Sequence, residues 1–208
     1  MATGLSTTGE LRWTLHGMAW QAYEGLLADP RNRKLRMAYD RGDLELMSPG
    51  FLHERLSQRL GRLVEALAEA RGVPFLAGGS TTFRREDLAR GLEPDRCFYF
   101  RNAPRMCAQR TVDLSSDPPP DLAIEIDLSR SSLNRFAIYA EFGVPELWRC
   151  DGERLEMYRL AESREYESLE FSAEFPSVQA AAAGRLILDD LESDDLAWLA
   201  ALRIWVAQ

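Results

Sequence analysis

Asp95, Glu125 and Asp127 are the residues whose type and placement most clearly suggest chemistry. One carboxylate follows a proline, and two sit in Ile124-Glu125-Ile126-Asp127, inside apolar segments that otherwise read as buried strands. Side chains alternate along a strand, so positions 125 and 127 project from one face, roughly 6 to 7 Å apart. Clustered carboxylates repel, and burial disfavours their charged forms. They therefore need shared protons, paired basic groups or a divalent cation. The cation is the expectation, with Asp95, Glu125 and Asp127 as its oxygen ligands. The plain alternative is that Glu125 and Asp127 salt-bridge to arginines or end a strand in water.

Glu45 precedes His53 by one loop leading into a helix, and both can line the same cleft, with His53 as a proton carrier near neutral pH. The bland reading of His53 is a helix cap or a packed polar residue. Arg84, Arg85, Arg90 and Arg96 surround Asp95 in sequence and can contact phosphates, although a solvated loop explains them as well. Tyr139, Pro145 and Trp148 read as packing residues. Trp198 and Trp205, seven apart, read as one helix face turned to the core or to a dimer interface rather than a base-stacking platform.

The elements that must position these groups follow from pattern. Apolar spacing over 17–28 predicts a short helix stopped by Asp29-Pro30. Leu35 to Tyr39 and Leu44 to Met47 flank Asp40-Arg41-Gly42-Asp43 and predict a hairpin. Leu52, Leu56, Leu60, Leu63, Val64 and Leu67 mark a long amphipathic helix ending near Arg71-Gly72. Val73 to Phe83 reads as a strand, Arg84 to Leu92 as a polar loop, and Cys97 to Phe100 as a strand. Asp117-Pro118-Pro119-Pro120 leads into a central strand over 121–127. Ser131-Ser132 caps a helix running through Phe142, and Gly143 ends it before a strand over 144–149. Strands over 154–160 and 166–171, a short helix over 178–183 and a terminal helix containing Leu196 to Val206 complete the chain.

The chain has 208 residues, 46% of them hydrophobic, which suits one domain, with a core over about 13–160 and a C-terminal helical segment over about 176–208. Residues 1–12 lack a basic segment followed by an apolar run, and no stretch is apolar enough to span a bilayer, so the expectation is a cytoplasmic protein. Three cysteines without a CxxC pair and two histidines support neither a disulfide framework nor a zinc site. Net charge is −8, and Lys34 is the only lysine among 25 basic residues. An acidic chain does not attract nucleic acid by its overall field; it needs a local arginine patch or a second subunit.

Gly42-Asp43-Leu44-Glu45-Leu46-Met47-Ser48-Pro49 with His53, then Glu93-Pro94-Asp95, Pro120-Asp121-Leu122-Ala123-Ile124-Glu125, and Tyr139 with Gly143-Val144-Pro145-Glu146-Leu147-Trp148, together resemble the restriction-endonuclease-like Uma-two family, a branch of the PD-(D/E)XK nuclease superfamily. The likeness runs from about Met37 to Asp151, in the family's order. It implies an α/β fold with a restriction-endonuclease-like core, a central mixed sheet flanked by helices, to which an N-terminal hairpin and a C-terminal helix are added. It also implies hydrolysis of phosphodiester bonds in nucleic acid, DNA foremost, with Mg2+ or Mn2+. Asp95 matches the aspartate of the PD element and Glu125 the second acid. Where the pattern has lysine two positions later this chain has Asp127, and the basic residue that family members place on the following helix is Arg135. Arginine does not release its proton, so Arg135 is expected to stabilise charge rather than act as a base, with Asp127 a third ligand or a partner of Arg135. The rival reading is a catalytically inactive module that keeps the fold to bind nucleic acid or protein.

Overall fold

The computed structural model describes residues 9–129 and 131–207. The chain begins with β1 (Leu11–Leu15) and α1 (Trp20–Ala28), then the hairpin of β2 (Arg36–Asp40) and β3 (Asp43–Ser48). The hairpin closes through Arg41 and Gly42, whose φ angles of 49° and 105° give the two positive values that a tight two-residue reversal demands. The long helix α2 (Phe51–Ala70) follows, then β4 (Leu76–Ala77), β5 (Phe83–Arg85), β6 (Arg90–Leu92), β7 (Arg96–Tyr99) and the single turn α3 (Ala103–Met106). The second half is β8 (Leu122–Ile126), α4 (Arg135–Phe142), β9 (Glu146–Cys150), β10 (Leu155–Leu160), β11 (Tyr166–Leu169), α5 (Ala180–Leu188) and α6 (Asp195–Val206).

These strands form two sheets among the described residues. One has five strands in the order β1-β3-β2-β6-β5, all antiparallel; the other has six, β11-β10-β9-β8-β7-β4, mixed because β8 and β9 run parallel. The expected hairpin is thus the middle of a sheet of its own. Strand β8 is buried along its whole length. Leu122, Ile124 and Ile126 pack against Leu56, Leu60, Leu63, Val64 and Leu67 of α2. Ala123 belongs with Ile138, Tyr139 and Phe142 of α4. Glu125, in phase with Ala123, therefore looks toward α4. Each leucine that α2 buries contributes roughly 1.5–3 kcal/mol, so the sheet has a rigid backing where the acids emerge.

Three expectations are corrected. The strand over 73–83 is broken at Gly78-Gly79, because a side chain at Gly78 would stand 2.5 Å from Cys97 Sγ and Gly79 has φ +58°. Leu76–Ala77 stays with β7, and Phe83 starts a strand in the other sheet. The polar stretch over 84–92 is not a loop but a second hairpin whose charged residues hide its strand character: β5 and β6 are joined by a 3-10 turn and by Ala89 in the left-handed region. Helix α4 is capped by Asn134, whose side chain accepts from Ala137 N, rather than by Ser131-Ser132, and it stops at Gly143 with φ 77° as expected. At the far end Trp198 is buried, with the buried Arg59 guanidinium 5.0 Å from its ring, so it belongs to the interior. No helix among the described residues is long and apolar enough to cross a membrane.

Candidate active site

Asp95 immediately precedes β7, whose antiparallel pairing sets Arg96 opposite Ile124. Asp95 N–H donates to Ile124 O at 3.1 Å, and Ile126 N–H donates to Asp95 Oδ2 at 2.7 Å, so the carboxylate completes the strand pairing that its own backbone leaves. Glu125 lies between these two partners on β8. Two acids 30 residues apart in sequence thereby become neighbours on adjoining strands, and both are buried.

Each acid is served by a different helix. The first turn of α2 brings His53 Nε2 to Asp95 Oδ1 at 2.8 Å, while His53 Nδ1 meets Glu10 Oε1 at 2.6 Å. A neutral imidazole carries one N–H, so a ring with a carboxylate on both sides is held as the imidazolium. Burial pulls the His53 pKa down, but hydrogen bonds to Asp95 and Glu10 outweigh it and raise it to about 9. Asp95 and Glu10 show the converse: burial pushes each up, and the His53 hydrogen bond brings each net below its ordinary value. With both ring nitrogens committed to carboxylates, His53 is placed as a charged strut between Glu10 and Asp95.

Glu125 is served by α4. Arg135 Nη2 donates to Glu125 Oε1 at 2.8 Å and to Glu93 O at 3.0 Å, and the Tyr139 hydroxyl donates to the same Glu125 oxygen. Burial raises the Glu125 pKa, and the Asp95 charge adds to this against the pull of Arg135. Burial would lower Arg135, but Glu125 more than reverses it, so the guanidinium stays charged. Tyr139 is thus more than packing. It stands four residues beyond Arg135, and that spacing on one helix face is the signal that could have found it.

Asp127 lies just past β8. It pairs with Arg149, whose Nη2 and Nε donate to Oδ2 at 2.7 and 3.1 Å, and Arg12 Nη2 stands 3.7 Å from Oδ1. The partner expected for it, Arg135, is on Glu125 instead. Arg149 reaches the site because the parallel pairing of β8 and β9 sets it beside Glu125. Glu125, Asp127, Arg135 and Arg149 line one cleft of about 160 Å³, with Ser131 and Asn134 at its side.

Glu45 is buried behind the cleft. It accepts from Arg12 Nη1 at 2.7 Å, from Ser131 Oγ at 3.0 Å and from Ser132 N at 3.0 Å, with Arg135 Nη1 3.9 Å away. Its role is to tie the segment between β8 and α4 to the first sheet, which is why those serines do not cap α4. Of the four arginines expected near phosphate, Arg90 is buried against Asp40 at 2.9 Å, Arg96 is bound to Ser57 at 3.1 Å and Arg85 to Asp87 at 2.7 Å. Arg84 is the one with an exposed side chain.

The acids suit a hard cation by donor type, since all are carboxylate oxygens. Their arrangement does not. Both Asp95 oxygens accept protein hydrogen bonds, Glu125 Oε1 accepts two, and Asp127 faces arginine. Asp127 Oδ1 is the one site oxygen buried without a hydrogen-bond partner, and among the described residues no three His, Cys, Asp or Glu side chains converge as ligands. As arranged, these residues do not fit a divalent ion; the positive charge beside the acids is Arg135, His53 and Arg149.

A mixed sheet between helices, with paired acids where two strands meet, defines the restriction-endonuclease-like class of α/β protein. The sequence model of the Uma2 family, described as "Putative restriction endonuclease", matches residues 20–189, and the chain belongs to that family. Among solved structures it is similar to a putative nuclease of DUF820 from Anabaena variabilis ATCC 29413, at 14% identity, with a TM-score of 0.53 and coverage of 91% of this chain and 99% of the other. That likeness is one of fold. Among curated proteins none matches the chain.

Proposed function

We propose that the protein is a nuclease that hydrolyses phosphodiester bonds of nucleic acid, DNA before RNA, in the cleft beside Glu125. The observation that carries this reading is the juxtaposition of two guanidinium groups, Arg135 and Arg149, with two carboxylates, Glu125 and Asp127, around one small opening. The family's description points the same way.

In this reading Arg135 and Arg149 receive the non-bridging phosphate oxygens, where forked donors offset the charge gathered in the transition state. Water attacks phosphorus and its proton passes to Glu125, whose burial favours taking it up. The P–O ester bond breaks, and the departing oxygen takes a proton from solvent. Arg135 and Tyr139 orient Glu125, and Asp95, braced by His53, holds β7 and β8 together beneath it. Magnesium or manganese is proposed from the family likeness alone: to bind, it would have to displace Arg135 from Glu125 and Arg149 from Asp127, and no step above is routed through it; a cytoplasmic location and a homodimer are likewise proposed.

The test is nicking of supercoiled plasmid by the wild type and by Glu125→Gln, each in magnesium, in manganese and in EDTA. Cleavage that vanishes in the variant supports the nuclease, and the EDTA arm reads the cation. A second reading, a nuclease-fold module that binds without cutting, is favoured by the pairing of Glu125 with Arg135 and of Asp95 with His53, which leaves the acids already neutralised. Retained DNA binding with no nicking in any cation would establish it.

A further inference from the structure

A larger cleft, of about 600 Å³, lies on the other side of Glu93, and four arginines line it: Arg33, Arg36, Arg84 and Arg110. In a chain of net charge −8 this is an unusual local excess, because Glu93 is the one acid among the lining residues. Glu93 is moreover held down: its carboxylate accepts from Thr82 Oγ1 at 2.6 Å and from Met37 N at 3.2 Å.

The arginines are weakly committed elsewhere. Arg33, Arg84 and Arg110 are exposed. Arg84 has only Glu24 at 3.6 Å, and Arg36 only Glu54 at 3.9 Å, with its Nε buried and lacking a hydrogen-bond partner among the described residues. Loose, half-exposed pairs of this kind contribute little and exchange readily for a phosphate. The hydroxyls of Ser80 and Thr111 add neutral donors.

The cleft is joined to the candidate active site through one residue. Glu93 turns its side chain to the cleft, while its carbonyl oxygen accepts from Arg135 Nη2 at 3.0 Å. We infer that the arginine cleft formed by Arg33, Arg36, Arg84 and Arg110 is a binding track for the phosphate backbone of duplex DNA, guiding it to the cleft at Glu125. This deepens the nuclease reading and rests on it for the identity of the polymer. No aromatic residue lines the cleft among the described residues, so it offers no base-stacking platform of the kind that single-strand binders use; backbone contacts to a duplex are the better match.

The test is fluorescence anisotropy of a labelled DNA duplex in EDTA across a salt series, comparing wild type, Arg33→Gln/Arg110→Gln and, as a control with two charges removed outside both clefts, Arg159→Gln/Arg164→Gln. Arg33 and Arg110 are exposed, and circular dichroism of each variant checks that it folds. Four neutralised phosphates give a slope of log affinity against log salt near −3.6, or about 100-fold weakening from 50 to 200 mM salt; losing two leaves about tenfold. The wild-type slope in Arg159→Gln/Arg164→Gln shows that the loss belongs to the cleft and not to net charge; a reduction equal to that of Arg33→Gln/Arg110→Gln overturns the track. An Arg33→Gln/Arg110→Gln variant that keeps the wild-type slope overturns the track even if the plasmid is nicked, whereas its reduced slope beside an unchanged control sustains it even if no nicking occurs. Tighter binding of a single strand than of duplex, or displacement by inorganic phosphate at equal phosphate concentration, also overturns it.

Discussion

Arg135 and Glu125 are joined through a single guanidinium nitrogen, Nη2, which donates at 2.8 Å to the carboxylate and at 3.0 Å to the carbonyl of Glu93. The arginine thus ties the acid of β8 to the strand lead-in that carries Asp95, and both ends of the pair are shielded from water.

Arg135→Ala should be strongly destabilising, by roughly 3–5 kcal/mol, because it leaves a buried carboxylate without its cation. Arg135→Lys should recover part of that loss, keeping the charge while giving up the planar group whose Nη2 serves both acceptors. Urea midpoints of the three proteins check the order. In the plasmid assay, Arg135→Lys cutting faster than wild type would mean that arginine is a weakened version of the catalytic group.

Stability should fall as pH rises above neutrality. His53 titrates at about 9 in the fold against an ordinary value of 6.5, so its contribution is complete below 6.5 and disappears as pH climbs through about 9. The gap corresponds to on the order of 3 kcal/mol. Asp95 and Glu10, both lowered, act in the other direction: their contribution is present above the ordinary carboxylate range and is lost as pH falls through their folded values. Melting temperature against pH should show both flanks, and His53→Gln should flatten the alkaline one.

Tyr139→Phe should cost about 1.5–3 kcal/mol, the value of a hydrogen bond to a charged group, since it deletes a donor to Glu125 without altering the ring's packing among Ile138 and Phe142. Each kcal/mol lowers the melting temperature by roughly 2–4 °C in a chain of this size. A variant that melts like wild type would remove Tyr139 from the account of the site.

Glu45→Gln should loosen the segment between β8 and α4 while leaving the first sheet intact. Its carboxylate holds Ser131 Oγ, Ser132 N and Arg12 together, and an amide cannot accept from all three. Hydrogen exchange at the Ser132 amide should quicken, while amides of β2 and β6 keep their protection.

Local pattern was enough for the framework. The leucine spacing of α2, the turn residues Arg41-Gly42, the apolar run of β8 and the stop at Gly143 each follow from rules that relate a residue to neighbours two to four positions away. The same rules placed Asp95 and Glu125 where two strands could bring them together. They missed the hairpin of β5 and β6, because the charged run Arg84-Arg85-Glu86-Asp87 looks like a loop, and they misjudged Ser131 and Ser132, whose true partner, Glu45, is 86 and 87 residues away.

By itself, then, the sequence determined the main helices, the buried central strand and the identity of the acids, because those depend on periodicity and residue type. Only the tertiary structure decided what neutralises the acids. Glu10 meets His53 across 43 residues and Ser129 across 119, and Arg149 comes to Asp127 from the next strand. Charge pairing depends on distance in space, and along the chain no periodicity records it.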